Sequence, residues 1–188
     1  MGLCRLCRDA ELWPNRRARG ERILASILFT DIVDSTATAQ RLGDGRWLDV
    51  VAAHNERIQF VLNRYSGRLV KTTGDGILAL FDGAERAVRA AAALHQAVAG
   101  FDIQLRAGVH TGEVEKVPGD ARGVAIHAAA RVMAIAEPGE TLVSSTTRDL
   151  LDGTGLEFDD RGTHVLKGLP GKRAVFALRP AGADSTPS

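Results

Sequence analysis

Residues 68–81 read RLVKTTGDGILALF. Two apolar runs of strand length flank a Gly-Asp-Gly break. Such runs separated by Asp-Gly predict a β-hairpin, here with Asp75-Gly76 as its two-residue turn. Nothing else in the chain constrains the fold as much, because a hairpin fixes two antiparallel neighbours at once. It also raises a chemical question. Asp75 sits between two strands, and a second stretch, FTDIVDST at residues 29–36, ends another apolar run with Asp31. Both carboxylates fall where core strands end.

The remaining elements follow from periodicity and breakers. Residues 25–31 predict a strand, and a helix follows from near Ser35, which is expected to cap it. Residues 44–65 predict a long helix, with Trp47, Leu48, Val51, Ile58, Val61 and Leu62 at helical spacing and Gly67 ending it. Strands are expected at 68–73, 77–81, 103–110, 141–144, 156–166 and 173–178. Helices are expected at 84–99 and 123–136, the latter stopping before Pro138-Gly139. The order β-α-β-β-α-β with later additions predicts an α+β, ferredoxin-like antiparallel sheet with helices on one face. Its first strand then lies beside the hairpin, which brings Asp31 and Asp75 together. The expected organisation is a basic N-terminal arm at 1–22, a domain at 23–179 and a disordered tail at 180–188.

Composition excludes several partners. The chain has 188 residues, 25% of them charged, and a net charge of +1. That balance gives no electrostatic case for nucleic acid or an anionic membrane. No apolar run approaches the ~20 residues of a membrane span, and residues 1–21 lack the apolar core of a secretory signal. A cytoplasmic location is expected. Cys4 and Cys7 form a single CxxC, too few ligands for a structural zinc site, and are read as reduced thiols.

Two carboxylates at neighbouring strand ends repel unless a cation lies between them. Oxygen ligands select a hard divalent ion, and two such ions could polarise a phosphate and a hydroxyl together. Val33, Asp34, Ser35 and Thr36 lead directly from Asp31 into a helix, whose unpaired N–H groups suit phosphate. Metal carboxylates beside a phosphate-binding turn imply a nucleoside triphosphate.

FTDIVDST, KTTGDG, GVHTGEV, GDARGVAIHAAAR and RGTHVLKG occur in this order from about residue 23 to 178. Together they resemble the catalytic domain of class III nucleotide cyclases, in particular the compact bacterial and mycobacterial adenylate cyclases. The resemblance implies a homodimer with sites at the subunit interface, making a cyclic 3′,5′-nucleotide and pyrophosphate with two Mg²⁺ or Mn²⁺ ions per site. It assigns Asp31, Asp75 and the Ile32 carbonyl to metal, Lys71 and Asp120 to the base, Arg131 to the transition state and Lys167 to the terminal phosphates. His127 stands where the family often has asparagine. It can donate to ribose or phosphate as an amide would, and unlike an amide it can gain charge near neutral pH. Glu113 departs from an arginine found in some members, so one phosphate contact is lost or passes to Lys116 or Lys167. The metal aspartates of one subunit would meet Lys71, Asp120, His127 and Arg131 of the other.

Lysine only donates hydrogen bonds and an ionised aspartate only accepts. Adenine presents an acceptor at N1 and a donor at N6, and guanine the reverse, so Lys71 with Asp120 favours ATP. Three alternatives stand beside an adenylate cyclase: a guanylate or mixed-specificity cyclase, a silent dimeric nucleotide-binding regulator, and a ferredoxin-like RNA binder. The last is disfavoured by one Tyr, six Phe and no basic excess. His54, His95, His110 and His164 are read as structural.

Overall fold

The computed structural model describes residues 21–166 and 170–180. The Cys4–Cys7 pair, the rest of the expected arm through residue 20, Lys167 and the tail from 181 lie outside them.

The first strand, β1 (Glu21–Ile32), buries every side chain from Ala25 to Thr30. It therefore has both faces covered, as a central strand must. Helices α1 (Ser35–Leu42) and α2 (Asp44–Arg64) follow, then the hairpin β2 (Arg68–Thr72) and β3 (Ile77–Phe81), and then α3 (Ala84–Val98). The chain continues as β4 (Leu105–Val117), β5 (Asp120–Arg122), α4 (Val124–Ala134), β6 (Thr141–Ser144), α5 (Ser145–Asp149), β7 (Phe158–Val165) and β8 (Lys172–Leu178). The sheet order is β2-β3-β1-β4-β6-β8-β7, with β5 paired to β4. The first four places are the ferredoxin-like order. Strand β1 runs antiparallel to both β3 and β4, and only β4 and β6 are parallel neighbours.

Alternation along β1 divides the core in two. Leu28 and Ile32 pack with Ile58, Val61 and Leu62 of α2 and with the alanine-rich face of α3. Ala25, Ile27 and Phe29 pack on the other side against Ala125, Ile126 and Ala129 of α4. Helices thus cover both faces, where one was expected. The backbone of α4 comes close because β4 has glycine beneath it: a Cβ on Gly108 would lie 2.2 Å from the Met133 nitrogen.

Four local expectations shift. Strand β1 starts at Glu21, so residues 21 and 22 belong to the sheet and not to an arm. The N-cap of α1 is Asp34, in left-handed backbone at φ 49° and without a side-chain cap bond, and not Ser35. The left-handed residue after α2 is Ser66 (φ 54°) and not Gly67. The hairpin turn lies one residue earlier than expected. The Thr73 N–H donates to the Gly76 carbonyl at 2.8 Å, so Gly74 and Asp75 are the central pair, and Gly74 takes the positive φ of +92°.

Burial holds three imidazoles neutral. His54, His95 and His110 are each pushed below the usual histidine value, chiefly by desolvation. The unfolded chain therefore gains protons first as pH falls below about 6.5. Stability from these groups is full above that value and is lost as pH drops through the lowered native values. Burial raises Asp31 instead, which works in the opposite sense, but its window opens upward from 3.8. The melting temperature is expected to fall between about pH 7.5 and 5.5. A scan showing it level or rising there would show that the three rings do not stay neutral.

Candidate active site

The hairpin positions one carboxylate against the other. Thr30 pairs with Ile77 across β1 and β3, placing Asp31 beside the turn that carries Asp75. Gly76 is packed so closely that an added Cβ would sit 1.9 Å from the Thr30 carbonyl oxygen. Any side chain there would force the Asp75 turn away from β1.

Asp31 is about one-fifth exposed. Burial pushes its carboxyl up, a hydrogen bond from Arg106 pulls it down, and the neighbouring Asp75 pushes it up again. Arg106 is the residue opposite Asp31 in the β1–β4 register. Its Nη2 and Nε donate to Asp31 Oδ2 at 2.6 and 3.2 Å. Sequence reasoning missed Arg106, since a lone arginine in LRAGVH reads as a strand-edge charge and only the pairing register reveals its partner.

The donor set fits a hard cation. Asp31 and Asp75 supply two carboxylates. The Ile32 side chain is hydrocarbon and buried in the core, so only its carbonyl could serve. Among the described residues, no three His, Cys, Asp or Glu side chains cluster as a metal cage. The remaining ligands of such an ion would therefore come from backbone, water or a bound phosphate, the usual pattern for Mg²⁺.

The turn into α1 runs Val33, Asp34, Ser35, Thr36. The Val33 N–H is engaged by the Gln104 carbonyl at 2.8 Å. The first helical bond runs from Thr38 to Asp34 at 2.9 Å. The N–H groups of Ser35 and Thr36 therefore have no helical acceptor and point ahead of the helix.

Lys71 and Asp120 also meet. Lys71 Nζ lies 2.8 Å from Asp120 Oδ1 and donates to Oδ2 at 3.0 Å. The hydrogen bond from Lys71 is the leading cause of a lowered Asp120 value, helped by the Ala121 N–H. Two devices bring them together. A bulge between Leu69 and Lys71 re-aims the lysine on β2. Asp120 belongs to β5, which pairs with β4, on the far side of β3 and β1 from β2. The ends of β1 and β4 carry β5 back across the α4 face, where Ile23, Val114 and Ala121 pack with Val70. The sequence hid this extension, because residues 111–117 are largely polar and β5 is three residues long.

His127 and Arg131 lie four residues apart on the outer side of α4 and are exposed. Within the described residues neither is assigned a hydrogen bond or an ion pair. Val124 (68% exposed) and Ile135 (37%) continue the same stripe. The structure thus brings together Asp31 with Asp75 and Lys71 with Asp120, but leaves His127 and Arg131 facing outward. Glu113 is engaged by Arg22 at 3.4 Å and Lys116 by Glu21 at 3.5 Å. Among the described residues, no helix is long and apolar enough to cross a membrane.

The family model described as the adenylate and guanylate cyclase catalytic domain matches residues 21–180. An uncharacterised Mycobacterium tuberculosis protein, Rv2212, is 33% identical over 88% of this chain and 45% of its own length. A Rhizobium meliloti protein provisionally named adenylate cyclase 3 is 33% identical over 79% of this chain and 27% of its own. The chain therefore spans between about a quarter and a half of these relatives. Among solved structures, an adenylate/guanylate cyclase/hydrolase from Silicibacter pomeroyi superimposes with a TM-score of 0.77 at 31% identity, covering 86% of this chain and 99% of that one. The adenylyl cyclase CyaB from P. aeruginosa gives 0.79 at 19% identity, covering 88% and 98%, a likeness of fold. With a sheet, a carboxylate pair and motifs that all agree, the chain belongs to the adenylate and guanylate cyclase catalytic domain family.

Proposed function

We propose that this domain is an adenylate cyclase, converting ATP to 3′,5′-cyclic AMP and pyrophosphate at sites shared across a homodimer. The observation that carries the adenine preference is the Lys71–Asp120 pair, a donor and an acceptor 2.8 Å apart at one edge of the sheet. Adenine N1 accepts from Lys71 and the N6 amine donates to Asp120. Guanine would face each group with its own kind, and sites built on such pairing reject the mismatched base strongly.

Bound Mg²⁺ or Mn²⁺ would lower the pKa of the ribose 3′-hydroxyl and neutralise charge on the triphosphate. Asp31, Asp75 and the Ile32 carbonyl are the groups that would hold them. The Ser35 and Thr36 N–H groups bind phosphate oxygens at the start of α1. Arg131 stabilises charge as the 3′-oxygen bonds to the α-phosphorus and the bond to pyrophosphate breaks. His127 holds ribose or phosphate through a ring N–H. Lys167 is assigned the terminal phosphates through its motif alone.

The outward stripe on α4 supports the dimer reading. Arg131 and His127 act on a substrate held by other residues, and the apolar Val124 and Ile135 beside them suit a covered face. Purified protein incubated with ATP, or separately with GTP, and Mn²⁺ tests the reading by the mass of the product. Cyclic AMP from ATP and little cyclic GMP from GTP is expected. Cyclic GMP from GTP in excess would reverse the specificity. A folded protein that binds ATP and makes neither would be a regulatory module.

A further inference from the structure

Two buried polar side chains have no hydrogen-bond partner, and both belong to elements that flank the Asp31–Asp75 pair. His54 on α2 is 1% exposed, and neither Nδ1 nor Nε2 is bonded. Thr30 on β1 is fully buried one residue before Asp31, and its Oγ1 is also unbonded. Among the described residues, no other buried side-chain nitrogen or oxygen is in that state. Native interiors satisfy nearly all such groups, so a pair of exceptions in one place calls for a cause.

Both side chains enter the same layer. Alternation puts Thr30 on the face of β1 that carries Leu28 and Ile32, which pack towards α2. His54, Ile58 and Leu62 recur every fourth residue on the buried side of α2. The hairpin turn closes onto the same place, since Gly76 rests against the Thr30 carbonyl. The negative charge of Asp75 is felt at the His54 ring. A leucine at position 54 would fill this layer without leaving two ring nitrogens unbonded. The imidazole therefore needs a state in which it is used.

We infer that His54 is a positioning residue for the metal site, supporting the turn that carries Asp75 once a divalent cation has drawn that carboxylate into place. A neutral imidazole has one donor and one acceptor nitrogen. The ring N–H donates to an oxygen of the Asp75 turn, and the Thr30 hydroxyl donates to the other nitrogen. No proton changes owner. The inference rests on Asp31 and Asp75 being the metal ligands.

The test measures Mn²⁺ affinity of the full chain by titration, with 3′-deoxy-ATP present so that no cyclisation occurs. Outer partners of metal ligands are typically worth 10- to 100-fold in affinity. His54→Phe is expected to weaken Mn²⁺ binding by about that factor, while the metal-free melting temperature stays level or rises. His54→Gln, which keeps a donor, should recover most of the affinity. Native Mn²⁺ affinity in His54→Phe, with binding lost in Asp75→Ala, would overturn the role of His54 alone. Native affinity in Asp75→Ala as well would overturn the metal reading beneath it. Should His54→Phe not fold, the ring nitrogen resonances of wild-type His54 decide. A downfield ring N–H signal appearing on addition of Mg²⁺ supports the contact, and an unchanged spectrum refutes it.

Discussion

An equimolar mixture of Asp75→Ala and Arg131→Ala protein is expected to make cyclic AMP when neither variant does so alone. On the proposed reading Asp75 holds the metal and Arg131 stabilises the transition state, a role whose loss costs about 10²–10³ in rate. Either lesion therefore spoils both sites of a symmetric dimer. In a mixed dimer one site carries both lesions and the other carries none. Random pairing makes half the dimers mixed, so about a quarter of wild-type activity should return. The structure motivates the experiment, because Arg131 and His127 face away from the fold with no partner among the described residues, while Asp31 and Asp75 sit together at the end of β1. Two variants that remain inactive together, despite exchanging subunits, would mean that each chain completes its own site.

Lys71→Glu is expected to lower turnover of ATP by at least about 100-fold and to raise the ratio of GTP to ATP use. Glutamate at 71 accepts where lysine donates, so it meets the guanine N1–H and repels the adenine N1 lone pair. The change should lower the melting temperature only slightly, because the Lys71–Asp120 pair is partly exposed, so losing it costs little and solvent screens the repulsion between the new carboxylate and Asp120. Kinetics for both nucleotides, with a melting curve beside them, would separate a specificity change from a folding defect. A uniform loss with an unchanged nucleotide ratio would show that Lys71 does not read the base.

The parts of this site that were legible in the sequence are those written in short, local patterns. The hairpin at 68–81 and the apolar run before Asp31 announced their strands, and β1 beside β3 put the two aspartates at adjacent strand ends as expected. Where the signal was long-range, local reading failed. The turn slipped by one residue, because Gly74 and Gly76 flank Asp75 symmetrically and only the Thr73–Gly76 hydrogen bond chooses between them. The second helical face was missed because α4 packs through alanines and over Gly108, and a helix's own pattern does not say which face of a sheet it covers. Arg106 acquires meaning only when β4 is laid against β1. His54 looked like any core histidine, and its lack of partners is a property of the packed interior.

The Asp31–Arg106 rung has a consequence for the life history of the chain. Because the Arg106 guanidinium already faces the largely buried Asp31 carboxylate, the sheet can close before any ion arrives. Synthesis and folding are thereby uncoupled from metal supply, and a chelator in the medium should not prevent the domain from maturing. On the proposed reading the cations would come and go with each nucleotide, as passengers of the substrate instead of fixtures of the scaffold.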